Sequence, residues 1–244
     1  MQGLGRAIGV VWITGIALFA AFTARAESYR LLSIEKALVR WPLPVANERI
    51  VLRYSVAQTL VVTPGATNCG RLRPVTNLLR NSDITHEEFK RATAEAFQRW
   101  QDVVDITFVE VDDDMSADIV IGEQVDPIGF AYTNVVTGDL RGPTVSPIKR
   151  AQICLNPQKQ WKIGFNGDLR VYDLVHTISH EIGHAIGLDH PDERGHLMSF
   201  RYHETRATLS EGDALGAVQI YGRRVTRPSA AMSPDSRGGG VQIK

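Results

Sequence analysis

The residues best placed to do chemistry lie in one run, His180-Glu181-Ile182-Gly183-His184-Ala185-Ile186-Gly187-Leu188-Asp189-His190, with Met198 eight residues further on. A helix puts residues four apart on one face, so His180 and His184 can address the same metal ion. Glu181 lies beside that site rather than in it. Gly187 accepts the left-handed geometry at a helix end without steric cost, so the chain can turn there and return His190 as a third ligand. Three neutral imidazoles leave a zinc ion its charge and one open position for water, the pattern of a catalytic site. The plainer reading, a solvated helix face with two ordinary histidines, leaves the third histidine, the glycine and the methionine unexplained.

The stretch resembles the metzincin signature HExxHxxGxxH followed by a Met-turn, at every defining position. That resemblance implies a zinc endopeptidase with Met198 beneath the three histidines. It implies hydrolysis by a zinc-bound water, with Glu181 as general base and then proton donor to the leaving amine.

The elements that must position these residues can be read along the chain. Arg49 to Val56 alternates and is β-rich, hence a strand, and Pro64-Gly65 and Asn68 to Pro74 read as loop. Thr85 and Glu88 form a capping box that opens a helix, with Phe89, Ala92, Ala96, Phe97 and Trp100 as its apolar stripe. Strands are expected near Ile106–Val111, Ile119–Ile121, Gly129–Val135 and Ala151–Leu155, with loop over 136–150. Asp173 to Ile186 is the expected metal helix and Leu209 to Tyr221 a last helix. The run Asp112-Asp113-Asp114 reads as a solvated turn, with calcium as a second candidate cofactor.

This order resembles the matrixin branch of the metzincins from about Trp41 to Gly222. Phe97-Gln-Arg-Trp100, Ala117-Asp-Ile119 and Leu209-Ser-Glu-Gly-Asp213 carry the resemblance outside the zinc motif. The implied fold is α+β and zincin-like: a five-stranded mixed sheet, two long helices, an active-site cleft, and a small C-terminal subdomain with a final helix. An extended peptide or protein substrate would lie along Gly129 to Val135, with Phe130, Ala131 and Tyr132 at its side. His176 falls where matrixins place the residue limiting the main specificity pocket, although a packed core histidine is an equal reading. Tyr202 and Phe200 belong to the same pocket wall. Phe200 stands where the matrixins have proline, and it lacks the hydroxyl with which some metzincins reach the zinc. His196 and His203 are read as surface residues.

Two further departures matter. No histidine lies between His86 and His176, which argues against the second, structural zinc site of the matrix metalloproteinases. Cys69-Gly70 superficially resembles their inhibitory switch, but it follows the first strand. Two cysteines in an exported chain instead suggest one disulfide, Cys69–Cys154.

Export is expected because residues 1–26 resemble a secretory signal: Arg6, a sixteen-residue apolar run from Ala7 to Phe22, and Ala24-Arg25-Ala26 as cleavage site. An uncleaved anchor is the alternative reading of that run. Removal takes two of 27 basic residues and none of 27 acidic ones, leaving a net charge of −2, which gives no reason to expect a nucleic-acid partner. Residues 27–222 are the expected catalytic domain, acting as a monomer outside the cytoplasm without membrane contact after cleavage. Residues 223–244, with five basic residues and one acid, read as a disordered tail. Two rival functions stay open: a silent zinc-binding protein on the same fold, and a zinc amidase acting on cell-wall peptides.

Overall fold

A computed structural model describes residues 29–44, 48–66, 68–138 and 144–225. The expected export signal and most of the basic tail lie outside the described residues. In chain order the strands are β1 (Arg30–Leu31), β2 (Ser33–Ile34), β3 (Ala37–Arg40), β4 (Ile50–Val56), β5 (Val61–Val62) and β6 (Arg71–Arg73). Helices α1 (Thr76–Ser82) and α2 (His86–Gln101) follow, then β7 (Ile106–Glu110), β8 (Ile119–Gln124), β9 (Ala131–Thr137) and β10 (Val145–Leu155). The C-terminal part holds β11 (Trp161–Lys162), β12 (Tyr172–Asp173), α3 (Leu174–Ala185), β13 (Leu188–Asp189) and α4 (Glu211–Tyr221).

The five longest strands form one mixed sheet in the order β7-β4-β8-β10-β9. Only β9 among these five runs antiparallel to its neighbour. Short strands extend this sheet: β2 and β3 beside the first half of β10, β5 and β6 beside the end of β8. The alternation read in β4 is present, with Ile50, Leu52 and Tyr54 buried and Val51 and Arg53 exposed. Helices α2 and α3 pack together, and the Trp100 indole N–H donates to the Ser179 carbonyl at 2.8 Å. The α2 stripe Phe89, Ala92, Ala96, Phe97 and Trp100 is buried in the main core, which also takes Ile178 and Ile182 of α3. The predicted capping box is formed: Thr85 Oγ1 accepts from Glu88 N, and the Glu88 carboxylate accepts from Thr85 N.

Several expectations are corrected. Residues 136–150 are not all loop, because β9 continues to Thr137 and β10 already begins at Val145. Pro147 obscured this, yet it sits where β10 meets the short parallel strand β3. The stretch Asn68 to Pro74, expected as loop, contains β6. Asp114 is not solvated: it is 5% exposed and accepts from Ser55 Oγ and from the backbone N–H of Gln58 and Thr59. Its carboxylate is therefore committed to closing a turn, while Asp112 and Asp113 are exposed. His196 is buried, with Nδ1 2.7 Å from Ser210 Oγ. The tail begins docked, since Arg224 N donates to Val103 O and its guanidinium donates to the Gln101 carbonyl at 2.8 Å. Among the described residues no helix is long and apolar enough to cross a membrane.

Candidate active site

Helix α3 opens on Asp173, whose carboxylate accepts from His176 N, and it presents His180 and His184 one turn apart. Gly187 then takes φ +96°, and a β-carbon there would meet the Val39 carbonyl at 2.4 Å, so glycine is required twice over. The turn leads into β13 and returns His190 to the helix. The three Nε2 atoms lie 3.1 to 3.2 Å from one another. Among the described residues this is the one set of histidine, cysteine and acidic side chains that converges closely enough to hold a metal.

The donor set fits zinc. His180 Nδ1 lies 2.7 Å from the Leu197 carbonyl and His184 Nδ1 lies 2.8 Å from the Leu188 carbonyl. A carbonyl only accepts, so each Nδ1 carries the proton and each Nε2 turns a lone pair toward the other rings. Burial holds all three imidazoles below their usual pKa, with His190 at about 4, and keeps them neutral. Three converging lone pairs repel unless a cation lies between them. Zn–N bonds of about 2.0–2.1 Å in a tetrahedron imply an N–N edge of ~3.3 Å, close to the observed spacing.

Glu181 is 6% exposed on the same turn of helix. Burial pushes its carboxyl up to about 7, opposed by the Thr133 hydroxyl, which donates to Glu181 Oε2 at 2.7 Å. Thr133 belongs to β9, the outermost strand beside the cleft, and sequence reading missed it because nothing local distinguishes it. Met198 packs against α3 at Gly183, where a β-carbon would meet its Sδ at 2.2 Å. The turn holding Met198 is fixed by Asp213 of α4, which accepts from the N–H groups of Leu197 and Met198.

The cleft in front of the histidines has a volume of about 810 Å³ and brings together the expected lining residues Phe130, Ala131, Tyr132, His176, Phe200 and Tyr202. One wall is a stack in which Phe130 meets Tyr172 at 3.8 Å and Tyr172 meets Tyr202 at 4.2 Å. His176 meets the Tyr202 ring edge-on at 5.1 Å. His176 lines the cleft while only 3% exposed, and burial drives its pKa down to about 3. Phe200 is 79% exposed at the rim, its ring 5.2 Å from that of His190. Cys69 and Cys154 are joined as a disulfide.

A mixed sheet, a helix carrying two histidines, a glycine turn to the third and a methionine turn behind them define the zinc metallopeptidase class. The matrixin family model matches residues 75–222, and the chain belongs to that family. It is 29% identical over 160 residues to interstitial collagenase from Sus scrofa, covering 62% of this chain and 32% of the relative. It is 29% identical over 147 residues to metalloendoproteinase 1-MMP from Arabidopsis thaliana, covering 57% and 39%. It is 26% identical over 147 residues to karilysin from Tannerella forsythia, covering 58% and 30%. The match thus spans about a third of the length of these curated relatives.

Proposed function

We propose that this chain is an exported zinc-dependent endopeptidase. The observation that carries the reading is the convergence of three Nε2 lone pairs beside a buried carboxylate, in a cleft bordered by a strand edge. His180, His184 and His190 would hold the zinc ion, which when bound would supply the Lewis acidity that acidifies water and polarises a carbonyl. Glu181 accepts a proton from the attacking water and returns it to the leaving amine. Thr133 holds that carboxylate in place. β9 has no further strand beyond it among the described residues, so an extended peptide can add to it by main-chain hydrogen bonds. Phe130, Tyr172, Tyr202 and His176 then receive a side chain of the substrate. Residues 1–26 are assigned as the export signal on their composition.

The test compares wild type with Glu181→Gln on an unstructured protein substrate, with bound zinc measured in both. The expected result is one zinc in each protein and a fall in cleavage of roughly 10²–10⁴-fold in the variant. Chelation should abolish wild-type cleavage and zinc should restore it. Equal cleavage by both proteins, or none by wild type with zinc bound, would sink the assignment.

A further inference from the structure

The three ligand rings are not held alike. His180 and His184 stand on a helix, and each is oriented by a backbone carbonyl through Nδ1. His190 follows a two-residue strand, and its side chain is 32% exposed, with Asp189 Oδ1 3.8 Å from Nδ1. What fixes His190 is therefore the backbone of β13. That backbone also sets His184, because its orienting carbonyl belongs to Leu188. Two of the three ligands thus depend on two residues of strand.

β13 pairs with β1 in a separate two-stranded sheet. The register is antiparallel, Arg30 opposite Asp189 and Leu31 opposite Leu188. Leu32 N donates to the carbonyl of Gly187, the turn residue, at 2.8 Å. The Arg30 guanidinium lies 3.5 Å from the Asp189 carboxylate and 3.8 Å from that of Asp192, flanking His190 on both sides in sequence. The other end of the segment is anchored too. Tyr29 packs on Gly216 of α4, where a β-carbon would come within 3.0 Å of it, and its hydroxyl donates to Gln219. Leu32 reaches the cleft itself. A segment more than 150 residues away in sequence is thus laid across the turn that delivers the third ligand.

We infer that Tyr29–Leu32 is a strap that positions the metal ligands: by pairing with β13 it holds His190 and His184 in binding geometry and so sets how tightly the site retains zinc. Arg30 is a positioning residue and touches neither metal nor substrate. The inference rests on the three histidines binding zinc, and it goes beyond that reading by assigning a role to a segment outside the matched family region.

The experiment measures zinc affinity by competition with a chromogenic chelator, alongside thermal melting of the zinc-free proteins. The variants are deletion of residues 29–32, Arg30→Glu and Arg30→Lys in the full chain, with His190→Ala as a ligand control. Loss of the strap should weaken zinc binding by roughly 10- to 100-fold, as for groups that orient ligands. Arg30→Glu should weaken it by about three- to fivefold, the range of an exposed ion pair, and Arg30→Lys should retain it. Melting of the zinc-free Arg30 variants should stay with wild type, which separates positioning from general stability. Affinity unchanged in both the deletion and Arg30→Glu overturns the strap, as does a loss in Arg30→Glu matched by an equal loss of zinc-free stability. If wild type and His190→Ala alike bind no zinc, the metal reading fails and the strap falls with it.

Discussion

Glu204 shows how one carboxylate can hold the cleft wall. It accepts from Lys162 Nζ at 2.5 Å, from the N–H groups of Asn166 and Gly167, and from the Tyr202 hydroxyl at 2.8 Å. Tyr202 in turn accepts from Asp173 N, at the start of the ligand helix. Burial pushes the Glu204 carboxyl up, but Lys162, Tyr202 and the Gly167 N–H outweigh it and hold the pKa at about 2, against an ordinary 4.5. A folded pKa below the unfolded one gives stability that is complete above pH 4.5 and is lost as pH falls from there toward 2. Glu204→Gln should therefore cost about 1–3 kcal/mol at pH 7, the worth of hydrogen bonds to a charged group. By pH 3 most of that difference should have gone. Denaturant titration of both proteins at the two pH values checks it, and a gap that is constant or widens toward acid would contradict the assignment.

At the scale of elements, the ligand helix depends on α4 through the methionine turn. Asp213 accepts from Leu197 N at 2.8 Å, Met198 N at 3.1 Å and Ser210 N at 2.8 Å, while Ser210 Oγ accepts from Asp213 N. The carboxylate closes the start of α4 and pins the turn whose Leu197 carbonyl orients His180. Asp213→Ala would leave these buried N–H groups unpaired at about 1–3 kcal/mol each. The expected outcome in urea unfolding is a loss of roughly 3 kcal/mol or more, with weaker zinc retention in a chelator competition. A loss below 1 kcal/mol would show that the turn stands without α4.

This dependence also marks what sequence could and could not disclose. The zinc motif was legible because helix spacing and one glycine place all its parts within eleven residues. The Thr85–Glu88 box and the α2 stripe were legible for the same local reason. Helix α1 was not: its N-cap, Val75, offers no side-chain bond, and the first N–H groups are met by Glu123, 45 and 46 residues away. The β1–β13 pairing and the hold of Thr133 on Glu181 are likewise long-range, set by tertiary packing that no local pattern records.

Across the whole molecule, the disulfide couples the far side of the cleft to the sheet. Cys69 precedes β6 and Cys154 lies near the end of β10, separated by 85 residues. Asn134 of β9 donates to the Cys69 carbonyl at 2.7 Å, and neighbouring Asn68 lines the cleft. The bridge therefore ties the rim to β10, and the Asn134 bond ties it to β9, the strand that borders the cleft. Closing a loop of that length restricts the unfolded chain by ~4–5 kcal/mol in the chain-entropy model, an upper figure. Replacing both cysteines by serine should lower stability by up to about that amount in denaturant unfolding. With both cysteines bridged, no thiol is free to act as an inhibitory metal ligand. Thiol-modifying reagents should then leave the activity of the oxidised protein unchanged, and reduction should lower its melting temperature without releasing activity. A burst of cleavage on reduction or alkylation would instead make Cys69 a switch, and the bridge would no longer explain why this residue stands beside the groove.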